Sequence, residues 1–236
     1  MKKTSPIPSC VAVLSYQPDI SNLIADFGSL ASRAWARPSN FWPQRSVIRV
    51  KFLNGDKQQQ AEARKRFEIV DALVNLTFQF VTTGSSEIRV RFDKGKGHWS
   101  YLGKQCLNIP STQATMNLDL KAGLLGDLKE EWNRVAVHEC LHAIGLEHEH
   151  QSPVSTGLVW NKEAVYAYYG RTQGWTRQMI DFQVLNRYSG GSYRATKFDP
   201  TSIMEYPIPA GLANITVGWN DRLSKSDIEF LRQIYP

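Results

Sequence analysis

Four of the chain's five histidines fall in one short stretch, His138-Glu139-Cys140-Leu141-His142-Ala143-Ile144-Gly145-Leu146-Glu147-His148-Glu149-His150. On a helix His138 and His142 stand one turn apart on the same face, where two imidazoles can grip one small cation. Glu139 lies about 100° further round, close enough to serve a water on that cation without filling a ligand position. His148 cannot join from the same straight helix, because ten residues carry it about 15 Å along the axis. The helix must stop and the chain turn back, and Gly145 can take the left-handed conformation of such a stop. Three neutral imidazoles leave one vertex of a Zn²⁺ ion open, which is the arrangement of a catalytic rather than a structural site. At average residue frequencies this spacing arises by chance in about one chain in 10⁵. One catalytic Zn²⁺ held by His138, His142 and His148, with Glu139 as general base, is therefore expected.

These residues resemble the metzincin metallopeptidases, whose signature is H-E-x-x-H-x-x-G-x-x-H followed by a methionine-containing turn. Thr201-Ser202-Ile203-Met204-Glu205-Tyr206 is similar to that turn, and the resemblance implies that Met204 lies beneath the zinc-binding histidines. Glu149 after the third histidine, and Tyr206 two residues after Met204, resemble the astacin-like branch. There the tyrosine can be a fifth zinc ligand and can also stabilise the transition state, so Tyr206 enters both the metal set and the catalytic set. Serralysins share the tyrosine, but their Gly/Asp-rich calcium repeats are absent. Three scattered cysteines cannot reproduce the two disulfides of animal astacins, so the resemblance is to a minimal, bacterial-type form. It implies a zinc-dependent endopeptidase acting on peptide or protein substrates. A zinc hydrolase of another amide or acyl group, and a zinc-containing binding module without turnover, are the alternatives; Glu139 argues against the last.

The elements that would position this set can be read from periodicity. Val47 to Leu53 alternates as a half-buried strand, and Asn54-Gly55-Asp56 ends it. Lys57 to Val74 reads as a helix burying Ala63, Phe67, Val70 and Val74. Further strands carry Leu76, Phe78 and Phe80, then Ile88, Val90 and Phe92 inward with Arg89 and Arg91 outward. Thr115 to Leu120 is expected as the edge strand above the site, where an extended peptide could pair. Leu128 to Leu146 returns to helical spacing, and helices follow near Lys162–Tyr169, Thr176–Arg187 and Ser224–Ile234. The expected fold class is α+β: a metzincin-like, two-lobed unit with an N-terminal twisted mixed sheet and two long helices, and an irregular, mostly helical C-terminal lobe. Residues 1–40 read as an arm or pro-region containing a helix over Asp19–Trp35. Residues 41–236 read as the catalytic domain, with lobes of about 41–148 and 149–236.

At 236 residues and 42% apolar content, the chain can bury a core without disulfide support. The +6 net charge is scattered rather than clustered, so no nucleic-acid partner is expected. No apolar run reaches the roughly 18–20 residues of a membrane span. Met1-Lys2-Lys3 opens like a signal peptide, but Pro6, Pro8 and Pro18 interrupt what should be its apolar core. The compartment is left open between intracellular and non-classical export, and a monomer is favoured. Cys10 is either a free thiol in the arm or a thiolate that could close the open zinc position. Cys140 reads as core. His98 and His150 read as surface or supporting groups rather than ligands.

Overall fold

The computed structural model describes residues 11–13, 36–121, 127–189, 192–195 and 197–236. The helix expected over Asp19–Trp35 and the Cys10 side chain lie outside them. In chain order the elements are β1 (Val11–Val13), β2 (Val47–Phe52), α1 (Lys57–Asp71), β3 (Thr77–Phe80), β4 (Ile88–Arg91), β5 (Trp99–Tyr101), β6 (Met116–Asn117), α2 (Asp127–Ala143), α3 (Lys162–Gln173), α4 (Arg177–Ile180) and α5 (Lys225–Ile234). The six strands form one sheet in the order β1-β5-β6-β4-β2-β3. β5 and β6 run antiparallel, whereas the other neighbouring pairs are parallel. This is the expected α+β class with a mixed sheet.

The sheet and its helices follow from the sequence pattern. In β2 the inward residues Ile48 and Val50 are fully buried while Val47 is exposed. Asp56 starts α1 with a capping box, its carboxylate accepting Gln59 N–H at 2.8 Å while the Gln59 side chain reaches back to Asp56 N–H. Phe67 of α1 meets Phe78 of β3 edge-on, with ring centroids 5.2 Å apart. Trp132 and Val135 carry α2 into the same core, which also takes Ile203 and Met204 and the α5 residues Phe230, Leu231 and Ile234. A second, smaller core gathers Leu158, Val165, Tyr169, Ile180, Val184 and Ile208 further along the chain. Among the described residues, that later half contributes isolated bridges, such as Ile208 with Val217, rather than strands. No described helix is long and apolar enough to cross a membrane.

Two expectations need correction. The segment around Met116 does not form the sheet edge: β6 lies between β5 and β4, hydrogen-bonded on both sides. Alternating side chains report which face is buried, not how many neighbours the backbone has. Beside β6, strand β5 is also paired on both sides, and the outermost strand at that end is β1. Arg89 does not face solvent either. It is 4% exposed, and its guanidinium donates to the carbonyls of Ser86, Glu87, Ile109 and Gln113. Those four acceptors replace the water that an arginine normally requires.

Candidate zinc site

Helix α2 brings His138 and His142 onto one face and then stops within one residue of Ala143. Gly145 N–H donates to the His142 carbonyl at 2.9 Å, and Leu146 N–H to the Leu141 carbonyl at 3.0 Å. This is a Schellman ending, with Gly145 left-handed at φ +105°. The neighbouring carbonyls are also satisfied: Trp42 Nε1 donates to Ala143 O at 2.9 Å, and the Tyr235 hydroxyl to Ile144 O at 2.7 Å. Leu146 is fully buried, and the chain returns so that His148 faces the helix.

The three rings meet as the spacing predicts. Nε2 of His148 lies 3.2 Å from Nε2 of His138 and 3.1 Å from Nε2 of His142. Nδ1 of His138 donates to the Ile203 carbonyl and Nδ1 of His142 to the Leu146 carbonyl, each at 2.7 Å. A carbonyl can only accept, so both protons sit on Nδ1 and both Nε2 atoms present lone pairs. Nitrogens in tetrahedral contact with zinc at about 2.0–2.1 Å stand about 3.3 Å apart, close to these separations. Burial, followed by the charge of neighbouring groups, holds His138 and His148 well below the ordinary imidazole range. Burial alone lowers His142 to about 4. Neutral, inward-facing imidazoles are the state a metal requires, and the residues fit a zinc ion.

Glu139 is completely buried and lines the cavity beside His138. Tyr206 borders the same cavity, its ring centroid 4.5 Å from that of His148. Met204 is fully buried, and its carbonyl accepts Glu149 N–H at 3.1 Å. Asp227 of α5 fixes this turn: its carboxylate accepts from Ser202 Oγ at 2.6 Å and from Ile203 N–H at 3.0 Å. Glu149 accepts Asp199 N–H at 2.9 Å, and burial raises its pKa. Cys140 lies in the core, as expected.

Other residues at the site were not singled out by spacing. Arg134, one turn before His138, donates to the carbonyls of Glu205 and Asn220, each at 2.8 Å, and its guanidinium stands 4.6 Å from the Trp219 ring centre. Its side chain and Trp219 form another wall of the cavity. His150 is fully buried rather than superficial, with Glu205 Oε1 3.1 Å from Nδ1 and the Gln183 carbonyl 3.1 Å from Nε2. His98 is likewise buried and lines the cavity. The i−4 spacing of Arg134 from His138 was a readable signal; the long-range partners of His98 and His150 left none.

Two solved structures of myroilysin resemble the chain at 36% identity. One has a TM-score of 0.78 and covers 86% of this chain and 98% of that chain. The other has a TM-score of 0.65 and covers 84% and 87%. High choriolytic enzyme 1, a hatching enzyme zinc-protease from the medaka fish Oryzias latipes, shares the fold at 18% identity, with a TM-score of 0.54 and coverage of 91% and 98%. The zinc metalloproteinase nas-37 of Caenorhabditis elegans is 28% identical over 134 residues, 56% of this chain but only 15% of that protein's own length. No family model matches.

Proposed function

Since the chain belongs to the astacin-like metzincin zinc metalloproteases and binds one zinc ion through His138, His142 and His148, we propose that it is an endopeptidase in which Glu139 is the general base. The observation that carries this reading is a buried carboxylate in the cavity that His138 borders. Zinc bound there supplies Lewis-acid polarisation of the scissile carbonyl and makes water acidic enough to ionise near neutral pH. Glu139 takes the proton of the attacking water as its oxygen bonds the carbonyl carbon. It then passes that proton to the amine nitrogen as the C–N bond breaks, leaving one carboxyl and one amino terminus. Tyr206 would be an additional ligand at rest, and its hydroxyl donates a hydrogen bond to the developing oxyanion while keeping its proton.

We read residues 1–40 as an arm or pro-region and residues 41–236 as the catalytic domain, with lobes of about 41–148 and 149–236. The position of β1 supports the first part, because it takes the side of β5 that an extended substrate would otherwise use. The test of the catalytic reading is Glu139→Gln assayed on an unstructured protein such as casein. Zinc content should stay at one per chain while cleavage falls about 10²–10⁴-fold, the usual contribution of a general base. Undiminished cleavage would remove Glu139 from the mechanism.

A further inference from the structure

His98 is a buried histidine that neither the zinc nor the proposed base accounts for. It immediately precedes β5 and is 5% exposed. Its Nδ1 accepts the backbone N–H of Asp119 at 3.1 Å. An amide there has only a proton to offer, so Nδ1 carries the lone pair and the ring proton belongs on Nε2. Burial lowers its pKa to about 4, which keeps the ring in this neutral form at physiological pH. Nε2 has no hydrogen-bond partner among the described residues. The ring lines the cavity together with Glu139, His138 and Tyr206.

A donor left without a protein partner, on a ring that lines a cavity, has one natural complement: an acceptor carried by whatever fills that cavity. The neighbouring Arg134 is engaged with two carbonyls and the Trp219 ring. A peptide is rich in acceptors, and one lying along β5 would pass His98 one residue before the strand begins. We propose that His98 is a substrate-binding residue of this cleft, donating its Nε2 proton to a carbonyl oxygen of the bound peptide close to the bond being cut. The proposal rests on the peptidase reading. The competing role is purely structural, with His98 serving only to accept the Asp119 amide.

The test uses the full-length zinc-loaded chain with His98→Phe, which keeps a ring but no donor, and His98→Gln, which can still accept from Asp119 and donate into the cavity. His98→Phe should lower kcat/KM on a peptide substrate about 30-fold at unchanged zinc content, and His98→Gln should recover most of it. Imidazole nitrogen NMR in the Glu139→Gln background should find the proton on Nε2 of His98 and a shift of that nitrogen when the same peptide is added. Unchanged kcat/KM in a folded His98→Phe, or a nitrogen signal indifferent to saturating peptide, overturns the proposal. If His98→Phe does not fold, His98→Gln and the nitrogen shift decide. If the unaltered chain cleaves no peptide, the peptidase reading fails separately, and the nitrogen signal still judges whether His98 touches a bound one.

Discussion

A single proton on each of His138 and His142 determines what the site can hold. The Ile203 and Leu146 carbonyls fix it on Nδ1 and leave Nε2 as a lone pair. The spacing of the three histidines and Glu139 was legible because helical geometry relates residues i, i+1 and i+4 without reference to anything else. His98 was not legible. Its meaning depends on Asp119, which lies 21 residues away, and on a cavity that only the folded chain assembles. His98 also predicts a pH effect on stability. Its folded pKa of about 4 lies below the ordinary value of 6.5, so the unfolded chain binds more protons between those values. The contribution is present above pH 6.5 and is lost as pH falls towards 4, by about 2 kcal/mol at pH 5. Urea denaturation of the zinc-loaded chain at pH 7.5 and pH 5 should therefore show a smaller pH-dependent loss in His98→Gln than in the unaltered protein.

Among the elements, the end of α2 does the most to place the third histidine. A Cβ on Gly145 would meet Phe41 Cδ1 at 3.1 Å, and its φ of +105° disfavours any other residue. Gly145→Ala should cost about 1–3 kcal/mol and weaken zinc binding, measured by denaturation and chelator competition. Loss of stability without loss of zinc affinity would separate the turn from the site. α5 acts from the far end of the chain: removing the Asp227 carboxylate takes away the acceptor of the Ser202 hydroxyl proton and of the Ile203 N–H, in the turn whose Ile203 carbonyl holds His138. Asp227→Ala should destabilise by about 3 kcal/mol, read as a lower midpoint in urea. Glycine as a stop signal was visible in sequence, as was the last helix over Ser224–Ile234. The three-residue β5 was not, because so short a run shows no period. Placing the edge strand at Thr115–Leu120 failed because alternation carries no information about lateral neighbours.

For the whole molecule, the two cores meet at the zinc site: α2 supplies two histidines from one, and Tyr206 belongs to the other. The residues proposed as an arm enter this frame twice. Ala36 bridges both Leu146 and Arg194, and Arg37 forms an ion pair with Glu147 at 3.1 Å, beside the third histidine. Further out, β1 covers β5. If that pairing is worth about 1.4 kcal/mol it hides about nine-tenths of the edges, so removing residues 1–35 should raise kcat/KM on a peptide about tenfold. An unchanged rate would place the substrate elsewhere. The division into a sheet-bearing lobe and an irregular lobe was legible from strand patterns that stop before α2. The return of α5 to the first core was not, because an amphipathic helix does not name the surface it will cover.

The central claim is a catalytic zinc held by three imidazoles, and zinc K-edge X-ray absorption of the metal-loaded full-length chain, with the metal counted, tests it most directly. The account predicts one zinc per chain with three imidazole nitrogens at about 2.0–2.1 Å, and loss of that signal in His148→Ala. Zinc far below one per chain, or a shell with fewer than three imidazoles, would contradict it.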